Sequence, residues 1–283
     1  MMGVSKKSIN ETIYTISPRL YFQLKYFYTR HKFIRFRNPR NLSEYLLSAM
    51  TQKEFESYSQ YADKVTVREY VKSKGLNDTL PELYGVWDNA ESIDFDALPS
   101  AFALKTNHGC GNHVICHDKA SLDIEAARAT IKKGLSTVYN IYEPHYKLIK
   151  PMALAEELIS DGMGSLPVDY KFMCVNGKPK CILACSERGE KNVPTKATYD
   201  INWNKLPWTQ KCIEDNMPKP QHLSEMIEIA ERLSQDFNFV RVDLYDCPNK
   251  VYFSELTFSP AEGILSTFTT QALELMNPLA SNK

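Results

Sequence analysis

The dipeptide Asn176-Gly177 lies between two apolar runs, residues 169–175 and 180–186. Both residues tolerate positive φ, so the pair reads as a tight turn and the runs as hairpin strands. Residues 239–245 and 250–256 form a second candidate hairpin across 246–249. Two hairpins imply antiparallel sheet. Shorter strand candidates lie at 83–87, 102–105 and 153–159. Helical patterns cover 43–57, 64–74 (stopped at Gly75), 121–135 and 223–237. Residues 187–210 read as irregular. Strands and helices are mixed without regular β-α-β alternation, so the expected fold class is α+β.

The 283 residues suffice for one large domain or two closely packed ones. The formal charge is zero, so no global field points to nucleic acid. No apolar run approaches the roughly 18 residues needed to span a bilayer. The first residues, MMGVSKKSINETIYT, lack the apolar core of a signal peptide. Seven cysteines without a C-x-x-C pair read as reduced thiols, so a cytoplasmic protein is expected. Charge is uneven locally. Residues 18–40 carry seven Lys/Arg, seven aromatics and no acid. This segment reads either as a basic amphipathic helix touching a membrane or an anionic polymer, or as a helix packing its aromatics on the body. Tyr21, Phe22, Tyr26, Phe27 and Tyr28 fall on more than one helical face, which favours packing.

The stretch KTNHGCGNHVICH, residues 105–117, concentrates histidine, cysteine and glycine. His113 and His117 have a zinc-pair spacing, but no second pair follows and the residues between them favour strand. A phosphate loop needs a strand delivering a lysine and a glycine turn whose N–H groups can reach oxyanions. Residues 102–104 deliver Lys105, and Gly109 and Gly111 supply the turn. Neither a Walker A loop nor the dinucleotide fingerprint is present. Alone, the loop is a weak signal and reads better as a plain glycine hairpin.

The C-terminal hairpin adds weight. Asp243 shares period-2 parity with Arg241 and Tyr245, opposite Val240, Val242 and Leu244. On the return strand, simple alternation puts Val251, Phe253 and Glu255 on one face. A carboxylate on an apolar strand is costly to bury unpaired. Two carboxylates from paired strands suit Mg²⁺, which completes its shell with water and nucleotide phosphate. Lysine on a glycine loop plus a two-carboxylate hairpin describes an ATP site.

The motifs DKVTVREYV, LYGVWDNAESIDFDALPSAFALKTNHGCG, KPMALAEELI, DYKFMCVNGKPK and VRVDLY…VYFSELTFSPAEG, read in order, resemble the TupA-like ATP-grasp family over roughly residues 63–263. That family is named for teichuronopeptide biosynthesis and associated with surface polysaccharides such as capsule and O-antigen. The resemblance implies an ATP-grasp fold, with two α+β subdomains enclosing the nucleotide. A helical basic N-terminal segment, residues 1–62, would precede an ATP-grasp domain, residues 63–283, hinged near 153–160. It implies that Lys105, Asn107, Gly109, Gly111 and Lys171 bind ATP phosphates. Glu156, Glu157 and Leu158 would form the adenine hinge, unless the two acids are only an exposed strand end. Asp243 and Glu255 would hold Mg²⁺, with Thr257 where many ATP-grasp enzymes carry asparagine. Arg241 is placed either to neutralise a transferred phosphoryl group or substrate carboxylate, or to form a structural salt bridge.

The resemblance further implies an ATP- and Mg²⁺-dependent ligase forming a C–N (amide) bond through an acyl phosphate. Its partners would be a small-molecule or glycan carboxylate, such as a uronic acid, and an amine. Lys171, Arg188 and Arg241 are the candidate catalytic residues, with Arg188 and Lys191 near the acceptor end. Tyr199, Trp203 and Trp208 could stack on a sugar or simply pack their loop. Alternatives are a sugar phosphotransferase with Asp169 or Asp200 as base, and a glycosyltransferase using Asp94-Phe95-Asp96. His108 and Cys110 could be catalytic but read more simply as loop decoration. The protein is expected in the cytoplasm, with residues 18–40 a candidate contact to the membrane's inner face.

Overall fold

A computed structural model describes residues 6–109, 111–137, 139–161, 166–186, 195–210 and 216–280. The helices are α1 (Lys6–Ile16), α2 (Pro18–Arg30), α3 (Leu42–Ala49), α4 (Ser59–Ala62), α5 (Val67–Ser73), α6 (Ile124–Ser136), α7 (Leu223–Ser234) and α8 (Thr270–Leu275). The strands are β1 (Leu83–Trp87), β2 (Phe102–Thr106), β3 (His113–Cys116), β4 (Ala153–Glu156), β5 (Asp169–Val175), β6 (Lys178–Ser186), β7 (Thr195–Tyr199), β8 (Lys205–Leu206), β9 (Phe239–Asp246) and β10 (Val251–Thr257).

They form two antiparallel sheets, one of four strands in the order β1-β4-β2-β3 and one of six in the order β10-β9-β5-β6-β7-β8. The α+β expectation holds, as do both hairpins. At the first turn Asn176 and Gly177 have φ of 50° and 76°, as the dipeptide requires.

Two expectations about element extent are corrected. The basic segment is helical only through Arg30, where His31 takes a left-handed cap at φ 53°. The segment read as irregular contains β7 and β8. Their short, mixed polar sequences carry little pattern, and β7 acquires its strand form by pairing along β6.

The six-stranded sheet has two different faces. One buries Tyr170, Phe172, Val240, Val242 and Leu244 against Met226, Ile229 and Leu233 of α7. On the other, Met173, Val175, Cys181 and Leu183 pack with Leu42, Leu46, Phe268 and Leu273. Charged residues continue that second face beyond the apolar patch. In the smaller sheet, Phe102, Leu104 and Ala155 pack with Phe95, Leu98 and the α6 residues Ala127 and Ile131.

An aromatic cluster belongs to the first of these cores. Phe258 stacks on Tyr58 at 4.4 Å and meets Phe237 edge-on at 5.0 Å. His145 is buried in the same cluster, 5.3 Å from Phe55 and 4.3 Å from Tyr146 between ring centres. Neither ring nitrogen has a hydrogen-bond partner among the described residues. Burial therefore drives its pKa down to about 3. The folded state excludes a proton that the unfolded chain takes up near pH 6.5, so this term costs stability as pH falls below that value. Nearby Glu143, raised by burial to about 7, has the opposite pH dependence. Comparing a variant with the parent isolates the histidine. His145→Phe should gain stability relative to the parent as the pH is lowered, by about 2 kcal/mol at pH 5. Denaturant titrations of both proteins at pH 7 and pH 5 measure the difference.

Candidate active site

Between the sheets lies a cavity of about 710 Å³. Its wall from the smaller sheet carries Lys105 on β2, His113 on β3 and Glu156 on β4. Its floor from the larger sheet carries Asp169 and Lys171 on β5, Asp243 on β9 and Glu255 on β10. The glycine loop contributes Gly109 and Gly111, both at positive φ (71° and 86°). A Cβ on Gly109 would fall 2.2 Å from the Tyr139 ring, so the loop's approach to that ring admits only glycine.

A bulge sets the acidic pair. Phe253 pairs with Leu244, but the register slips across Ser254, so Glu255 pairs with Asp243 and Leu256 with Val242. Simple alternation placed Glu255 on the face of Val251 and Phe253. The bulge corrects this: those two remain in the core with Leu256, while Glu255 turns to the cavity beside Asp243.

Cations hold the pair. Arg241 donates from Nε to Asp243 Oδ1 and from Nη2 to Asp243 Oδ2, both at 2.6 Å, and from Nη2 to Glu255 Oε1 at 2.9 Å. Lys171 donates to Asp243 Oδ2 at 2.8 Å and to Asp169. Thr257 donates its hydroxyl to Glu255 Oε1 at 3.1 Å. Burial lifts the pKa of Glu255, but the charges of Lys64, Arg241 and Lys171 outweigh it and hold the carboxyl at about 2. Asp169 behaves oppositely: burial and then the Asp243 charge raise it to about 6, against the pull of Lys171. Its Oδ1 is buried without a hydrogen-bond partner among the described residues. Burial opposes the charge of Lys171, yet Asp243 and Asp169 push its pKa above the usual lysine range.

At the other wall, Lys105 pairs with Glu156, and Arg68 stands 3.9 Å from the second oxygen of that carboxylate. Glu157 accepts from the Tyr252 hydroxyl at 2.5 Å and from the Glu82 N–H at 3.2 Å. It thereby ties the segment just after β4 to β10 of the larger sheet. Leu158 lines the cavity beside it.

The family profile described as TupA-like ATPgrasp matches residues 42–276. The chain belongs to the TupA-like ATP-grasp family. Among curated proteins none matches. Similar solved structures include D-alanine–D-alanine ligase from Bacillus anthracis complexed with ATP, 14% identical, over 70% of this chain and 55% of that one, with a TM-score of 0.46. The ATP-grasp ligase PsnB complexed with minimal precursor is 12% identical, over 76% and 59%, with a TM-score of 0.43. D-alanine–D-alanine ligase from Helicobacter pylori is 15% identical, over 76% and 60%, with a TM-score of 0.42. The chain spans little more than half the length of these proteins.

Within this ATP-grasp frame, most of the expected residues converge on the cavity. Lys105, Gly109, Gly111, Glu156, Glu157, Leu158, Lys171, Asp243 and Glu255 all line it. Asn107 does not. Its side chain donates to Asp63 at 2.9 Å and to the Lys150 carbonyl at 3.0 Å, and accepts from the Met152 N–H at 2.8 Å. With those bonds made, it anchors the loop rather than facing a ligand. Arg241 and Thr257 lie behind the acids and hold them. Arg188, Lys191 and Cys110 fall outside the described residues.

Other candidates resolve as scaffold. His108 is buried between Asn107 and the Thr137 carbonyl. Trp203 stacks flat on Tyr199 at 4.0 Å, and Trp208 packs on the apolar patch under α3 and α8. Asp200 accepts from Asn202 and Asn204 within a turn, and Asp94 accepts from the N–H groups of Asp96 and Ala97. Among the described residues no group of three or more His, Cys, Asp or Glu is placed to hold a metal by itself. A hard cation that takes one or two carboxylates and shares its remaining ligands with phosphate fits Asp243 and Glu255.

Lys64 was not singled out from the sequence. It donates to the Gly109 carbonyl at 2.9 Å and stands 3.7 Å from Glu255 Oε2, linking loop to floor. Its only sequence signal was its place in DKVTVREYV, among the motifs that carry the family resemblance. Asp63, the partner of Asn107, precedes it there. Asn107→Ala would leave the buried Asp63 carboxylate and the Met152 N–H short of a partner. The expected loss is about 2–4 kcal/mol of unfolding free energy, read by chemical denaturation.

Proposed function

We propose that this chain is an ATP- and Mg²⁺-dependent carboxylate–amine ligase. The observation that carries the reading is the convergence of Lys105 and the glycine loop, from one sheet, on the paired carboxylates Asp243 and Glu255 of the other. Membership of the ATP-grasp family supports it.

ATP enters between the sheets with its base toward Glu157 and Leu158 and its phosphates under Gly109 and Gly111. Lys105 exchanges its Glu156 partner for a phosphate oxygen, and Lys171 faces the same phosphates from the floor. Mg²⁺, when bound by Asp243 and Glu255, supplies charge neutralisation at the transferred phosphoryl group. The depressed pKa of Glu255 keeps it ionised for that role. A substrate carboxylate oxygen attacks the γ-phosphorus, the bond to ADP breaks, and an acyl phosphate forms. The amine then attacks the acyl carbon, phosphate leaves, and the amine nitrogen gives up a proton. Positioning and charge stabilisation suffice, and no covalent enzyme nucleophile is needed.

Asp169 would take that proton: the residue lines the cavity, its buried Oδ1 has no hydrogen-bond partner among the described residues, and its pKa is raised to about 6. The same property would let it serve as base in phosphoryl transfer to a sugar hydroxyl, which stands as the second reading. The family's link to surface polysaccharides supports a uronic acid, or another glycan-borne carboxylate, as acceptor. Arg188 remains the candidate to hold that carboxylate.

The thermal midpoint should rise with ATP or ADP plus Mg²⁺, and not with UDP-sugars. Lys105→Ala should reduce that rise. Glu255→Ala should retain the fold and lose Mg²⁺-dependent ADP release on screening uronic acids with amines. Full turnover by Glu255→Ala would remove the metal assignment. Amide product distinguishes the ligase, and phosphorylated sugar the second reading.

Asp169 generates a separate expectation. With Asp169 as base, kcat/KM rises with pH as that carboxyl ionises near 6. Asp169→Asn should lower kcat about 100-fold and abolish that limb of the profile.

A further inference from the structure

We infer that the outer face of α2 is a docking surface for an anionic lipid bilayer. Soluble helices normally turn polar residues outward. Here Leu20, Leu24 and Phe27, spaced at i, i+4 and i+7, are all exposed, with Tyr28 beside them at 81% exposure. The inner face is apolar too, because Tyr21, Phe22 and Tyr26 are buried in the body. Phe33 extends the outer stripe: its ring stacks on Phe27 at 4.9 Å and is 66% exposed. Ile16, 77% exposed, lies just before the helix.

The surrounding charge is one-signed. Residues 12–43 contain no acid. Of the cations there, Lys25 pairs with Glu262 and Arg40 with Glu44. Lys32, Arg35 and Arg37 are exposed and have no ion pair among the described residues. Arg19 is exposed over the Phe36 ring at 5.7 Å. Aliphatic and aromatic side chains beside unpaired cations are the two requirements of an interfacial helix on anionic lipid. A soluble polyanion would use the cations and leave the apolar stripe in water. A second copy docked about a two-fold axis would set like cations against one another. The bilayer matches both properties. No helix among the described residues is long and apolar enough to cross a membrane, so the contact is peripheral.

The test is sedimentation of the full chain with vesicles of phosphatidylcholine alone or mixed with phosphatidylglycerol, at low and high salt. Binding should require phosphatidylglycerol and weaken with salt. The combined substitution Leu20→Ser, Leu24→Ser, Phe27→Ser should weaken it about ten-fold or more, as should Lys32→Glu, Arg35→Glu, Arg37→Glu. Unchanged thermal midpoints would show that both variants are folded. Equal binding to phosphatidylcholine alone, no binding to either vesicle, or binding that neither variant alters would overturn the inference. So would light scattering that finds a dimer in the parent and a monomer in the apolar variant, since the stripe would then join two copies. Capture by heparin without capture by mixed vesicles would overturn it in favour of a soluble polyanion.

Discussion

Arg241 donates to Asp243 and Glu255 at once, and the rest of the cavity floor is arranged around that shared contact. Charges near a sheet core persist only when they are paired and hydrogen-bonded. Lys171 takes the remaining side of Asp243, Thr257 supports Glu255, and Lys64 approaches from the loop. The result is an acidic pair held by cations in a partly dry site, with the pKa of the Glu255 carboxyl kept at about 2.

Two devices carry this floor to the opposite wall. Asn107 fixes the loop to Asp63, Lys150 and Met152, so that Gly109 and Gly111 stand over the cavity. Glu157 connects the end of β4 to Tyr252 on β10. The first holds the glycine-loop end of the cavity and the second the end beside β4. Both span elements far apart in sequence, which explains why neither role was visible from spacing alone. Asn107 was expected at the ligand because it lies in the loop. Its position in the chain was right, but its side chain points into the scaffold.

The legible parts of the fold are those in which local chemistry decides. Asn176-Gly177 specifies its hairpin because few dipeptides accept two positive φ values. The alternation of Val240, Val242 and Leu244 with Arg241, Asp243 and Tyr245 names the core face of β9 without any partner. Lys105 at the end of an apolar strand, followed by glycines, is similarly local. By contrast, β7 and β8 carry no strong pattern and depend on a neighbour's free edge. The N-terminal aromatics divided between burial and exposure according to what the body offered them, a division no periodicity could predict.

The amino-acid sequence alone therefore determined the hairpins, the α+β class, the family and many, though not all, of the residues that line the cavity. These follow from turn propensity, side-chain period and ordered motifs, all of which act over short range. The tertiary structure decided the site's geometry. The bulge at Ser254 reversed the facing of Glu255 and set it opposite Asp243, because the core had to keep Phe253 and Leu256 on the same side. Lys64 reached the same carboxylate from a segment nearly two hundred residues earlier. Pairing register and long-range electrostatics are properties of the assembled sheets, and no stretch of chain contains them by itself.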